Sequence, residues 1–345
     1  MLFIHQYACI SAQDSFPEVN LDAVIAPVDG KLFAREPAYD EIPKGILRRM
    51  SKPVRMAIGA ASVLLKTSGR LDGIIGATAN AGMDDCFRFL QQIIQYEEGL
   101  LTPGNFVQST PNAMPAQVSM MTQNHGYNMT HVHLGLAFEN ALIDASMLVD
   151  EYPGSKYLLG TVDDISAYNY NINRLGGWYK ELNSHGDFYN AGTTGSLPGE
   201  GAAMFIVSSE KSGSIAGITA AETLHTEDAA LVVARLQTFL SLHLPNEVPD
   251  LLLSGENGDQ QLLSFYEGCE QLLPPGTGVL RYKHLTGEFP TANALGLWFG
   301  CYILQHQRFP AHMVKVEPGV EKLRHILIYN NFKGLQHSFI LLSGS

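Results

Sequence analysis

The sequence predicts an α/β protein. Short apolar runs bounded by Gly, Asp or Asn alternate along the chain with longer segments of helical period, and several of those runs are apolar at nearly every position. Continuous apolarity means that both faces of a strand are covered, as in a sheet sandwiched between helices. Composition agrees, because 46% of the 345 residues are hydrophobic and only 16% charged, which puts much of the chain in an interior or an interface.

In chain order, Leu2–Ile10 is the first strand, and a helix follows over Met50–Leu65 with Val54, Ala57, Ile58, Ala61 and Leu65 as its apolar positions. Strand Gly73–Thr78 leads to a helix at Asp84–Gln95 carrying Phe87, Leu90 and Ile94. Strand Met129–Leu134 runs into a helix just after Gly135, where Phe138, Ala141, Leu142 and Ala145 fall at i, i+3, i+4 and i+7. After strand Tyr157–Val162, the stretch Thr161–Pro198 is rich in Tyr, Asn and Gly and reads as a surface or active-site loop. Strands Ala202–Ser208 and Ile215–Ala221, helix Glu227–Leu244, strand Asp250–Ser254, helix Leu295–Gln305 and strands Ile326–Tyr329 and Ser338–Leu342 complete the pattern. Each half ends in a pair of apolar strands, a weak echo of duplication.

Charge and cysteine usage exclude several functions. Lys plus Arg is 22 against 34 Asp plus Glu, a net charge of −12, and the basic residues cluster only at Arg48-Arg49 with Lys52 and Arg55 nearby. Nucleic acid is therefore not an expected partner. Cys9, Cys86, Cys269 and Cys301 show neither CxxC spacing nor a disulfide framework, which fits buried thiols in a reducing compartment. The opening MLFIHQYACIS has no basic segment ahead of a long apolar one, and no run reaches the roughly 18 apolar residues of a membrane span. The expectation is a cytoplasmic protein with no membrane partner.

The most informative segment is Gly126–Ser146, GYNMTHVHLGLAFENALIDAS. It passes from a polar turn through a strand, bends sharply at Leu134-Gly135-Leu136 and enters a helix, the layout of a nucleophile elbow held over a helix N-terminus. The bend carries glycine, which has no nucleophile.

Four further segments stand in a meaningful order around it: Ser109–Met121 (STPNAMPAQVSMM), Gly195–Ser208 (GSLPGEGAAMFIVS), Arg281–Ala294 (RYKHLTGEFPTANA) and Tyr329–Phe339 (YNNFKGLQHSF). Together the five resemble the beta-ketoacyl-acyl-carrier-protein synthase family of condensing enzymes, with the likeness running from RRMS at Arg48–Ser51 to Phe339. The resemblance implies a thiolase-like, duplicated five-layer α-β-α-β-α fold. It also implies an N-terminal half over 1–210 that carries the elbow and a C-terminal half over 211–345, with the boundary near Ser208–Ser214. Members of this family usually pair through a strand close to the elbow, which places Met129–Leu134 near a dimer axis.

Carried over residue by residue, the family's catalytic groups are replaced. Its elbow cysteine corresponds to Gly135. The histidine of its NAHGT-like turn corresponds to Asn257, or to Glu256 on a one-residue shift, within GENGD. The histidine of its TKSxxGH-like segment corresponds to Glu288, whereas the lysine is kept as Lys283. Phe332 matches the gating phenylalanine, and the backbone N–H groups of Gly135 and Phe332 are expected to outline an oxyanion hole. Met114, Met120, Met121 and Met129 fall around the segment that in the family lines the acyl pocket and faces the partner, with core packing the plainer reading. Condensation needs a thiolate to hold the acyl chain and hydrogen-bond donors to stabilise the enolate formed on decarboxylation. Gly135 cannot be acylated, and an ionised Glu288 opposes the developing charge. Lys283 and Glu288 are expected to form an ion pair.

The remaining candidates read as structural. His131-Val132-His133 has the period-two spacing of some metal sites, yet no third ligand is evident, and neither metal nor cofactor is expected. His284, beside Lys283, is a possible displaced base but more simply a structural residue. Cys269 and Cys301 lie in apolar helical context as core residues. The leading reading is a catalytically silent, chain-length-factor-like subunit of fatty-acid or polyketide-type biosynthesis, paired with an active ketosynthase or with itself. Acyl carrier protein, generally acidic, then docks mainly on the partner. The alternatives are an active acyl-thioester enzyme (acyltransferase or hydrolase) of the same fold working through His133, Asn257 or a bound water, and a homodimeric lipid- or thioester-binding protein.

Overall fold

The computed structural model describes residues 1–182, 185–190 and 192–344. The strands are β1 (Leu2–Ile10), β2 (Gly73–Ala77), β3 (Tyr127–His131), β4 (Lys156–Asp163), β5 (Gly201–Ser208), β6 (Ala216–His225), β7 (Leu251–Ser254), β8 (Gly278–Arg281), β9 (Val314–Val316), β10 (His325–Phe332) and β11 (Gln336–Gly344). The helices are α1 (Lys44–Leu47), α2 (Lys52–Leu65), α3 (Met83–Gln95), α4 (Pro103–Gln108), α5 (Ala113–Thr122), α6 (Ala137–Glu151), α7 (Ala167–Leu175), α8 (Ala229–His243), α9 (Leu263–Leu272), α10 (Lys283–Thr286) and α11 (Asn293–His306).

Side chains alternate across each strand, and this alternation sorts the core into layers. Ile75, Leu159, Phe205 and Val207 pack against α6 and α11, whereas their neighbours Ile74, Leu158, Met204 and Ile206 pack against α2 and α5. On the C-terminal strands, Leu253, Ile328 and Ile340 join the same α6 and α11 core, while Leu252, Leu327 and Leu341 lie beneath α8 and α9. The order is therefore α2/α5, sheet, α6/α11, sheet, α8/α9, the five-layer α/β arrangement. α6 and α11 are covered from two sides, which is why Ala137, Ala141 and Ala145 and the run Ala294–Phe299 are buried.

The strand order β3-β2-β4-β5-β1 is repeated as β8-β7-β10-β11-β6, with β9 added at the far edge. Directions repeat as well. β2 runs parallel to β3 and β4, as β7 does to β8 and β10, and the next two pairings outward are antiparallel in both sets. The two sets join where Leu2–Ile4 of β1 pairs with Ala216–Ile218 of β6.

Two expectations change. The third strand is Tyr127–His131 rather than Met129–Leu134, so Val132 and His133 have already left the sheet. The stretch Thr161–Pro198 is not irregular throughout: β4 extends to Asp163, and α7 forms behind an N-cap in which Ser166 Oγ accepts a bond from Asn169 N–H at 3.1 Å. β8 and β9 have four and three residues, too few to show a period in sequence. Among the described residues no helix is long and apolar enough to cross a membrane.

Candidate functional site

In an α/β sheet, chemistry collects beyond the carboxyl ends of the parallel strands, where loops and helix N-termini converge. Gly135 follows β3, Asn257 follows β7, Lys283 and Glu288 follow β8, and Phe332 ends β10. The topology thus brings five residues distant in sequence to one end of the fold.

The elbow is built as a left-handed step followed by a turn. Leu134 has φ 48°, a conformation that non-glycine residues rarely adopt, and starts the single 3-10 turn Leu134–Leu136 before α6. Gly135 comes next and is buried. A Cβ placed on it would stand 2.3 Å from Phe332 Cβ and 2.5 Å from Phe332 Cγ. The position thus faces Phe332, and no side chain fits there unless Phe332 moves.

Gly135 N–H does not remain free for an oxyanion hole, contrary to expectation. It donates to Gln336 Oε1 at 2.8 Å, and Gln336 is itself buried. Sequence reasoning missed Gln336, because nothing in its spacing links it to a glycine 201 residues earlier.

Behind Phe332 lies a closed polar group. Lys283 Nζ donates to Glu288 Oε1 at 2.9 Å, and Asn257 Nδ2 donates to Glu288 Oε2 at 3.0 Å. Lys283 is fully buried and Glu288 nearly so. Asn257 is fixed in turn, its Oδ1 accepting from Asp259 N–H at 3.1 Å and its carbonyl from Ser196 Oγ at 2.6 Å. Glu256 turns away to Arg281 at 2.9 Å and Lys315 at 2.7 Å, and Asn257 is the residue that faces Glu288. The cavity between Asn257, Glu288, Phe332, Trp178 and Tyr179 measures about 20 Å³, on the order of one water molecule. Lys333 lines it as well, reaching Asn173 Oδ1 at 2.6 Å, and burial lowers its ammonium pKa against the attraction of Glu288.

A second acid stands deeper, between the central helices. Glu139 on α6 accepts from Asn293 Nδ2 and Ser338 Oγ, both at 2.7 Å, while its other oxygen has no protein partner. Burial raises its pKa, opposed by those two hydrogen bonds and by the charge of Lys283. As a lone carboxylate in an amphipathic helix it gave no signal in the sequence.

Met114 packs under β2 with the α2 core, and Met129 is exposed on the edge strand β3, so neither borders the cavity. Met120 and Met121 are exposed on α5. His131 and His133 part company: His131 Nε2 meets Asp144 at 2.8 Å, and His133 Nδ1 accepts from Asn140 at 2.9 Å. His284 is buried and bonded to Tyr189 at 3.0 Å and His312 at 2.9 Å, a structural setting. Burial pushes the Cys269 thiol up to about 12 and the Cys301 thiol higher, so neither is a nucleophile at neutral pH. Arg48, Arg49, Lys52 and Arg55 do assemble, bordering a crevice of about 520 Å³ with Asp84, Asp85 and Asp164. Lys52 is paired with Glu200 and Arg55 with Glu36, so the crevice carries both signs of charge.

No family model matches the chain, and neither does any curated protein. Solved structures do match over the full length. A beta-ketoacyl synthase from Burkholderia phymatum shares a TM-score of 0.76 at 13% identity, covering 100% of this chain and 99% of that one. A type II polyketide ketosynthase, bound to the hexaketide and in complex with its acyl-carrier protein, gives 0.77 at 13% identity, with 100% and 99% covered. A ketosynthase in complex with its chain length factor from Xenorhabdus doucetiae gives 0.74 at 14% identity, with 100% and 98% covered. The fold of this chain is the thiolase-like fold of the ketosynthases and chain length factors.

Proposed function

We propose that this chain is a catalytically silent ketosynthase-like subunit that pairs with an active ketosynthase, in the manner of a chain length factor. The observation that carries the reading is the state of the elbow. Its glycine has no nucleophile, lies under Phe332 with no room for one, and spends its N–H on Gln336. An acyl-enzyme cannot form at Gly135, and the donor that would polarise a thioester carbonyl there is occupied. Glu288, held by Lys283 and Asn257, adds an acid where enolate stabilisation calls for a donor.

The pairing surface follows from β3. It is an edge strand, and edge strands expose unpaired backbone groups that a partner strand can complete. Met129, Val132 and Leu134 are exposed in and just after it, as are Met120 and Met121 on α5, a run of large apolar side chains better covered than left in water. The halves 1–210 and 211–345 of the sequence reading correspond in this proposal to the two repeated strand sets. Acyl carrier protein docks mainly on the partner, since a chain at −12 repels an acidic carrier. A cytoplasmic setting fits the four free thiols.

The test is co-expression with an intact ketosynthase and an acyl-carrier protein. The expected result is a co-purifying heterodimer in which mass spectrometry finds acyl adducts on the partner alone. A stoichiometric adduct on this chain would favour the acyltransferase or hydrolase reading instead, and failure to bind any ketosynthase would remove the partner role.

A further inference from the structure

The turn that follows β10 is built unlike a free gate. Lys333 has φ 58° and Gly334 φ 68°, so a non-glycine residue stands in the left-handed region where glycine is at home. Asn331 Oδ1 accepts Gly334 N–H at 2.7 Å and holds the turn in that shape. The Lys333 side chain lines the cavity together with Asn173 and Trp178, and its Nζ donates to Asn173 Oδ1 on α7 and lies 4.9 Å from the centre of the Trp178 ring. That helix is anchored on its other side as well, with Tyr168 stacked on Phe87 at 4.1 Å and Lys31 over Tyr170 at 4.0 Å. From the same turn, Phe332 covers Gly135 and Gln336 caps its N–H.

We infer that the turn Phe332–Gln336 is an internal plug that excludes pantetheine-borne thioesters from this chain's own cavity, with Lys333 as the residue that locks it against α7. This deepens the reading of a silent site and rests on it. The 20 Å³ that remains is on the order of one water molecule, too small for a pantetheine arm, and Lys333, Asn173 and Trp178 line it, so in this proposal entry displaces the Lys333 ammonium from both Asn173 and the Trp178 ring. A polar contact and a cation–π contact at one half-buried site would have to be given up together. The device gives the occupied elbow and the narrow cavity one origin.

Trp178 provides the readout. The chain has two tryptophans, and Trp298 is fully buried, so acrylamide quenching of emission reports mainly on Trp178. The variants are Lys333→Gly, which the left-handed backbone accepts without strain, and Asn173→Ala, which removes the other end of the lock. The probe is acetyl-pantetheine at millimolar concentration. The expected result is no emission change with the probe in the wild-type chain. Either variant should show at least a twofold rise in the quenching constant together with a saturable response to acetyl-pantetheine. A probe response in the wild-type chain overturns the plug, as do variants that leave quenching unchanged or that open without binding the probe. If the wild-type chain binds the probe without gaining an acyl adduct, the plug fails and the silent subunit stands. An acyl adduct on the wild-type chain removes the silent reading itself, and loss of ketosynthase binding alone leaves the plug intact.

Discussion

Lys283 Nζ and Glu288 Oε1 meet at 2.9 Å with the lysine fully buried, and Asn257 donates to the second carboxylate oxygen. A buried ammonium without a counter-charge costs several kcal/mol, so Asn257 and Glu288 form a single unit with Lys283. In Glu288→Gln the amide cannot accept from both Lys283 and Asn257, so one donor loses its partner. We expect a loss of roughly 1–3 kcal/mol in stability, moderated by the field of Glu139 on Lys283. Chemical denaturation checks this, and an unchanged midpoint would mean that the pair does not support the fold.

Gly135→Cys restores the nucleophile type without restoring the space. The new Cβ would fall 2.3 Å from Phe332 Cβ, so the turn must shift, at a cost of roughly 1–3 kcal/mol for overpacking. Phe332→Gly in the same chain, which removes the Cβ as well as the ring, should recover part of that loss, giving a coupling energy of at least about 0.5 kcal/mol in a double-mutant cycle. Additive losses would place the strain elsewhere.

The resemblance predicts the lysine–acid pair and the layer order, because each follows from motif order along strands whose apolarity is plain in sequence. What escaped the sequence depends on long-range approach. Gln336 meets Gly135 across 201 residues, Glu139 meets Ser338 across 199, and Lys333 meets Asn173 across 160. None of these pairs has local periodicity to announce it. The limits of β3 are hard to read for a related reason: Val132 and Leu134 look like strand continuation, while the chain leaves the sheet after His131 and takes a left-handed step at Leu134.

Two groups should bend the pH dependence of stability in opposite directions. Burial, then Glu200 and Asp163, raises the Asp164 carboxyl to about 7, so on folding it takes up a proton that the unfolded chain has released. Its contribution falls as pH rises from about 4 to about 7. His337 is buried and bonded to Tyr329 and Thr226, and burial pushes it down to about 4. The unfolded chain binds that proton first, so stability is lost as pH falls from about 6.5 towards 4. Asp164→Asn should therefore make stability rise more steeply with pH between 4 and 6.5 than in the wild type, by at most about 1.4 kcal/mol per pH unit. His337→Gln should change the slope in the opposite sense. Denaturation midpoints at several pH values check both, and parallel curves for all three proteins would rule out these two groups as the cause.

Charge placed on the β3 edge should separate pairing from folding. Met129 is 43% exposed and Leu134 55%, so lysine at either position has water to enter in the isolated chain and little core to disturb. In a partner-covered interface, burying roughly 800 Å² per subunit, the same ammonium would be desolvated without a counter-charge. Met129→Lys and Leu134→Lys are thus expected to abolish co-elution with a ketosynthase at micromolar concentration while shifting the melting temperature by less than about 2 °C. A large melting shift in the isolated chain would mean that these side chains support the subunit itself. Retained co-elution would move the interface away from β3, leaving the exposed Met129 and Leu134 to be covered by something other than a ketosynthase.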